Sequence, residues 1–304
     1  MNEQIANKII SALNARAITG TVLIQNLWSG YGKLLRVTTD NGSVIVKLIQ
    51  FPDQRSHPRG WSSDIGHERK KNSYLVEQNW YRELEPIDGA RMATLLDCGE
   101  VDAGKYLILE DLAGADFHIK HDIDWPEITL CLQWLAHFHR HYLNHRPDGL
   151  WKIGTYWHLD TRPEELEVLT DTALKQAAPL IDAKLNNARH QTIVHGDAKL
   201  ANFMFNDRQV AAVDFQYVGG GVGVKDLAYF MSSIFHEDEL DSYESRCLDT
   251  YFKFLNLPQV EQEWRSLYPV AWCDFYRFLK GWSPGHWKIN TYSERMKQMA
   301  LECL

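Results

Sequence analysis

The sequence predicts an α+β chain in two lobes: a small N-terminal lobe over residues 1–111 built on an antiparallel sheet, and a mainly helical C-terminal lobe over 112–304. Three observations predict it. Short runs rich in β-branched residues, separated by glycines, crowd between residues 20 and 51. From Pro126 onward, helical spacing of apolar residues dominates. The chain has 304 residues, of which 45% are hydrophobic and 24% charged, enough for a sizeable core and ordinary for a globular protein.

The elements follow in order. Ile5, Ile9, Ile10 and Leu13 recur at helical spacing and predict an amphipathic helix over 5–16. Thr21-Val22-Leu23-Ile24, Leu34-Leu35-Arg36-Val37-Thr38 and Val44-Ile45-Val46-Lys47-Leu48 read as three strands. Ser29-Gly30-Tyr31-Gly32 separates the first two. Asp40-Asn41-Gly42 separates the last two, and an Asn-Gly pair in that place is a strong hairpin signal. Two prolines and two glycines predict a mobile loop over 52–66. A helix is predicted over 67–84, then strands near 92–97 and at Tyr106-Leu107-Ile108-Leu109, and Gly114 ends that pattern. Pro126 opens a helix carrying Ile128, Leu132, Leu135, Ala136 and His139. A further helix is predicted over 164–185, short strands at 192–195 and 210–214, and helices from 225 to the end.

Charge and cysteine usage narrow the class. Lys and Arg total 32 against 40 Asp and Glu, a net charge of −8, which disfavours a general nucleic-acid binder. The five cysteines form no CxxC pair and suggest neither a disulfide framework nor a zinc site, which fits a reducing compartment. The N-terminal stretch lacks the pattern of a signal peptide and no apolar run is long enough to span a bilayer, so a soluble cytoplasmic protein without a membrane partner is expected.

The chemistry concentrates in twenty residues. His195-Gly196-Asp197, then Asn202, then Asp214-Phe215-Gln216 place three acceptor side chains at strand ends, where packing alone does not call for them. Asp197 is positioned as a carboxylate base, and Asn202 and Asp214 supply hard oxygen ligands of the kind Mg²⁺ takes. Lys47 ends the Val-Ile-Val-Lys strand and offers a point charge to phosphates, with Glu77 on the following helix able to hold it; Glu83, six residues on, competes for that place. A strand Lys, a helix Glu, a loop Asp and Asn and a metal-binding Asp are the working parts of a kinase.

On these residues the chain resembles the aminoglycoside phosphotransferase and choline kinase-like superfamily, and looks especially like its ecdysteroid-kinase-like branch. Val46-Lys47, Glu77-Gln78-Asn79-Trp80-Tyr81, Leu109-Glu110-Asp111-Leu112, Leu135-Ala136-His137-Phe138-His139 and Asp226-Leu227-Ala228 add to the likeness, which runs from about residue 20 to about 285. The resemblance implies a two-lobed protein-kinase-like fold, ATP and Mg²⁺, with an N-terminal nucleotide-binding lobe and a C-terminal lobe holding the catalytic loop and the acceptor site. It implies that Asp197 orients or deprotonates an acceptor hydroxyl and that Asn202 and Asp214 bind Mg²⁺. Lys47 would contact the α- and β-phosphates and pair with Glu77, backbone groups from Glu110 to Leu112 would bind adenine, and Asp226 would brace the catalytic loop. Lys199, two residues after Asp197, would neutralise the transferring phosphoryl group.

Departures matter as well. Gln216 stands where protein kinases place glycine, and Gly196 where they place arginine. Only twelve positions separate Asp214 from Asp226, leaving no room for a long activation segment. The expected function is therefore an ATP- and Mg²⁺-dependent transfer of the γ-phosphate to a hydroxyl of a small molecule, with a Ser/Thr protein kinase or a non-catalytic nucleotide-binding protein as alternatives. Gly30-Tyr31-Gly32 reads as a reduced phosphate loop or as a simple turn, and Gly219-Gly220-Gly221 as a tight connection. His137, His141 and His145 would share a face if their helix continued; a core helix is the stronger reading. The last quarter is rich in tryptophan, and Asp274 and Trp282 are the expected acceptor contacts there. The acidic chain suits a cationic acceptor better than an anionic one, and aromatic faces hold a protonated amine, though they suit a sugar ring or a steroid-like scaffold equally.

Overall fold

A computed structural model describes residues 2–51, 64–83, 85–101 and 104–304. The chain divides into two compact units: Met1–Leu84 with Met92–His118, and Glu85–Arg91 with Ile119–Leu304. The fold is protein-kinase-like, with a small antiparallel sheet in the first unit and mainly helices in the second.

The first unit runs through helix α1 (Glu3–Ala12), strands β1 (Ile18–Asn26), β2 (Gly32–Thr39) and β3 (Gly42–Gln50), helix α2 (Asp64–Glu83), the two-residue strand β4 (Arg91–Met92) at the passage between units, and strands β5 (Leu95–Val101) and β6 (Gly104–Glu110). Five strands form one sheet in the order β1-β2-β3-β6-β5, every pair antiparallel. Alternation sends Val37, Val44 and Val46 into a core closed by Ile5 and Ile9 of α1, with Tyr106 and Ile108 of β6. The Asn41-Gly42 turn pairs Thr39 with Gly42 as the sequence suggested. Helix α1 is shorter than expected because Leu13 caps it and Asn14 turns left-handed at φ 50°. Helix α2 already begins at Asp64; the rest of the predicted 52–66 loop lies outside the described residues.

The second unit takes the short strand β7 (His118–Ile119) at the second passage, then helices α3 (Trp125–His141), α4 (Pro163–Glu167) and α5 (Thr172–Asn186), strands β8 (Thr192–Val194), β9 (Phe203–Phe205), β10 (Val210–Ala212) and β11 (Gly219–Gly221), and helices α6 (Val224–Ile234), α7 (Glu237–Leu255), α8 (Pro258–Trp282) and α9 (Thr291–Glu302). Asp124 and Glu127 form a reciprocal capping box at the start of α3. That helix stops at His141, so the three-histidine ladder is not continuous: His145 lies in the following turn. The single helix expected over 164–185 is two, α4 and α5, because Asp171 caps a new start with its side chain on the Leu174 N–H. The triple glycine is a strand, β11, paired antiparallel with β8. Among the described residues, no helix is long and apolar enough to cross a membrane, and all five cysteines are free thiols.

Asp171 also ties three helices together. One carboxylate oxygen takes the Leu174 N–H at 3.1 Å, while the other takes Lys280 of α8 at 2.8 Å and Lys297 of α9 at 2.9 Å. Burial alone would raise this carboxyl, but Lys280 and Lys297 outweigh burial and hold it well below the usual range. A depressed folded-state pKa stabilises above the unfolded carboxylate pKa of about 4 and loses that contribution as pH falls through the folded value. Asp171→Ala should cost about 1–2 kcal/mol at neutral pH, mainly the lost cap, whereas Asp171→Asn should keep the cap and lose only the ionic part. Urea midpoints at pH 7 and pH 3 check this: the gap between wild type and Asp171→Asn should shrink in acid.

Candidate active site

The second unit carries the loop that leaves β8. Its geometry hangs on Asp226 in the first turn of α6. The carboxylate is fully buried and accepts the backbone N–H of His195 at 2.6 Å and of Gly196 at 2.9 Å, and His139 Nε2 of α3 lies 3.1 Å from it. His139 Nδ1 is in turn 2.8 Å from the Tyr251 hydroxyl. His195 Nε2 donates to the Val213 carbonyl at 3.0 Å and Nδ1 accepts the Asp197 N–H at 3.2 Å, which sets its tautomer. Gly196 has φ +79°, and a Cβ there would fall 2.1 Å from the Tyr217 carbonyl oxygen and 2.7 Å from the Thr155 nitrogen. The arginine that protein kinases place here has no space in this chain.

Asp197 is thereby held in place. Its Oδ2 accepts Lys199 Nζ at 2.9 Å and Asn202 Nδ2 at 3.0 Å. Its Oδ1 is buried and has no hydrogen-bond partner among the described residues. Burial pushes the Asp197 carboxyl above the ordinary range; Lys199 pulls against that and Asp214 adds to it. Asn202 Nδ2 also donates to the Asp197 carbonyl at 2.8 Å, so its amide nitrogen is spent on Asp197 and its carbonyl oxygen is the atom suited to a cation. The β9–β10 hairpin pairs Phe203 with Ala212 and so sets Asn202 beside Val213, whose N–H donates to the Asn202 backbone carbonyl at 2.9 Å. Strand β10 ends at Ala212, two residues earlier than expected, and Asp214 follows in the left-handed region at φ 66°, which Asp adopts more readily than most side-chain-bearing residues. Gln216 donates to Asp214 Oδ1 at 2.6 Å. Asp214 and Asn202 together offer hard oxygens that fit Mg²⁺ with phosphate and water completing the shell. Among the described residues, no group of three His, Cys, Asp or Glu side chains could hold a metal without such help.

In the first unit, Lys47 and Glu77 are both buried, and Lys47 Nζ donates to the two carboxylate oxygens at 2.8 and 2.7 Å. Glu77, not Glu83, is the partner. Gly30 ends a short turn at φ 78°. Gly32 opens β2, where a Cβ would lie 1.9 Å from the Leu48 carbonyl oxygen, so this glycine is demanded by strand pairing whatever else it does. Tyr31 between them lies 2.6 Å through its hydroxyl from His67 Nδ1 of α2. The Glu110 N–H and carboxylate both go to the Thr94 backbone, at 2.9 and 3.0 Å. Leu112 starts a short 3-10 turn, whose own hydrogen bonds leave its N–H unused. Asp111, whose side chain had no role in the sequence reading, caps that turn and takes Arg36 at 2.7 and 3.2 Å and Ser43 at 2.7 Å.

The expected acceptor residues fare differently. Asp274 is fully buried and engaged by Arg277 at 2.8 Å, Trp157 Nε1 at 3.0 Å and Lys225 at 3.3 Å. Burial would raise its carboxyl, but Lys225 and Arg277 hold it below the usual range. The expectation that it touches an acceptor gives way to a bracing role between α6, α8 and the Trp157 segment. Trp282 is half-buried and stacks on Phe278 at 5.8 Å, at the edge of a cluster of Trp157, Tyr229, Phe275, Phe278 and Leu279. Trp264 and Trp272 are core residues. Sequence reasoning missed Tyr229, whose hydroxyl burial, Tyr156 and Asp197 all push upward in pKa, and Lys288, because only tertiary folding brings them near Asp197.

A kinase-type loop with a braced Asp, a paired Asn and a second Asp on a hairpin exit defines a phosphotransferase architecture. The phosphotransferase enzyme family model matches residues 24–269, and the chain belongs to that family. Solved structures agree in fold. A microcompartment-associated aminopropanol kinase is 15% identical with a TM-score of 0.58, covering 99% of this chain and 95% of that one. An amicoumacin kinase in complex with AMP-PNP, Ca²⁺ and Ami is 15% identical with a TM-score of 0.55, covering 100% and 94%. A choline kinase from Streptococcus pneumoniae is 13% identical with a TM-score of 0.50, covering 99% and 97%. Among curated proteins no match is found.

Removing the Asp274 charge would leave Lys225 and Arg277 buried without a counterion. Asp274→Ala should therefore cost about 3–5 kcal/mol, read as a fall in the urea midpoint. An unchanged midpoint would show that the network is not the brace described.

Proposed function

We propose that this chain is a small-molecule kinase that transfers the γ-phosphoryl group of ATP, taken with Mg²⁺, to a hydroxyl group. The observation that carries the reading is Asp197: one carboxylate oxygen is tied to Lys199 and Asn202, and the other is buried without a partner among the described residues. A hydroxyl donating to Oδ1 would satisfy that orphan and be aligned for attack. As the new oxygen–phosphorus bond forms and the bond to the bridging oxygen of ADP breaks, the hydroxyl proton passes to Asp197. The transition state is loose, so Lys199 contributes by placing positive charge beside the transferring group. Asn202 and Asp214 are the residues that would hold Mg²⁺. The ion, when bound, neutralises phosphate charge.

In the first unit, the Lys47–Glu77 pair is the proposed contact for the α- and β-phosphates, the Gly30–Gly32 turn the proposed phosphate cover, and the backbone from Glu110 to Leu112 the proposed adenine edge. The twelve positions from Asp214 to Asp226 are consumed by a turn, β11 and the start of α6, which favours a small acceptor over a protein substrate.

Asp197→Asn should leave ATP–Mg²⁺ binding within a few-fold and lower turnover by roughly 10²–10⁴. Turnover near the wild-type rate with an identified acceptor would remove Asp197 from this role. The base must be ionised, and its pKa is raised, so kcat should begin to fall on the acid side at a pH above the ordinary Asp value of about 4. A pH–rate profile checks it. Asp214→Ala should weaken nucleotide binding in Mg²⁺ more than Asn202→Ala does, because it removes a charge. Calorimetry with and without Mg²⁺ measures both, and a wild-type affinity indifferent to Mg²⁺ would overturn the metal assignment.

A further inference from the structure

We propose that the acceptor presents an anionic group of the carboxylate class to Lys288, so that the substrate is a hydroxy acid rather than an amino alcohol. The inference rests on the phosphotransferase reading and names its substrate class.

Lys288 lies in the segment between α8 and α9. Its Nζ stands 5.3 Å from the ring centroid of Tyr229, 5.6 Å from that of Phe275 and 5.5 Å from that of Trp287. Among the described residues its Nζ makes one hydrogen bond, to Ser232 Oγ at 3.2 Å, and that hydroxyl donates onward to the Tyr229 carbonyl at 2.8 Å. An ammonium has three donors. Among the described residues, Lys288 forms no salt bridge. Its charge is felt at the catalytic loop: burial first, then Lys199, lowers the Lys288 pKa to about 8, while Asp197 opposes them.

The neighbouring cations each have a carboxylate partner, Asp274 being shared between two of them. Lys199 is paired with Asp197 at 2.9 Å, Arg162 with Glu165 at 3.0 Å, and Asp274 with Arg277 and Lys225. Lys288 is left over as a cation. Five aromatic rings around this place already face the chain's own cations: Lys288 over Tyr229, Phe275 and Trp287, and Arg162 at 5.0 Å over Phe278 and 5.9 Å over Tyr156. A second cation there would meet like charge, whereas a carboxylate would complete the Lys288 hydrogen bonds and charge. The rings then pack against the acceptor's carbon skeleton, and the acceptor hydroxyl is left for Asp197.

The test is ADP release from ATP–Mg²⁺ with three groups of acceptors: glycerate and gluconate, ethanolamine and 1-amino-2-propanol, and glycerol and glucose. Hydroxy acids should be turned over in preference to the other two groups. Lys288→Met should raise the KM for the hydroxy acid about tenfold to a hundredfold, the scale of a lost charged hydrogen bond, while the ATP KM stays within twofold. Lys288→Arg should recover most of the loss, which separates lost charge from lost folding. Preference for amino alcohols or neutral alcohols, or a hydroxy-acid KM unmoved in Lys288→Met, overturns the proposal. So does a wild-type protein that binds ATP–Mg²⁺ but accepts neither glycerate nor gluconate. These results leave the phosphotransferase reading standing. A wild-type protein that does not bind ATP–Mg²⁺ by calorimetry overturns that reading and the inference with it.

Discussion

Two backbone N–H groups and one imidazole converge on a single buried carboxylate, that of Asp226. The rest of the second unit's chemistry depends on that convergence. A carboxylate with no exposure is tolerable only when its oxygens are fully engaged. Here the groups that engage it come from α3 and from the loop after β8, so the charge can be buried only if the loop takes one path. On that path His195 locks to Val213, Gly196 passes within contact of the Tyr217 carbonyl, and Asp197 emerges with one oxygen committed. The brace sits in the first turn of α6, where a negative charge also suits the helix dipole.

The same rule, charge buried only in company, recurs in both units. Lys47 with Glu77 and Asp274 with Lys225 and Arg277 are each nearly inaccessible and each joins elements far apart in sequence. Such pairs add little net stability over apolar contacts but penalise any other arrangement strongly. They specify where α2 lies on its sheet and where α8 lies on α6. Lys288 matters because it breaks the pattern: its company is three aromatic rings and one hydroxyl.

The sheet of the first unit was legible because its signals are local: alternating Val and Ile, and an Asn-Gly turn. The polar cluster after β8 was legible because Asp197, Asn202 and Asp214 lie within one hairpin of each other. Helix ends were less so, since Asp171 reads equally well as a residue inside a helix or as the cap of a new one, and only packing against Lys280 and Lys297 decides. The role of Asp274 was misjudged for a related reason. In an aromatic run a lone carboxylate suggests a ligand contact, but its partners Lys225 and Trp157 are 49 and 117 residues away and no local pattern announces them. Lys288 carries no sequence signal at all.

The tight seat of Gly196 has an evolutionary consequence. In protein kinases the residue at this place is an arginine, and a phosphorylated segment downstream can be sensed through it. Here the Tyr217 carbonyl and the Thr155 nitrogen leave no volume for even a methyl group. A single codon change to arginine would wreck the loop before it conferred control, and the short stretch to Asp226 offers no segment to be sensed. Control through an arginine at this place and a phosphorylated segment beside it would need space at Gly196 and a longer stretch before Asp226 together.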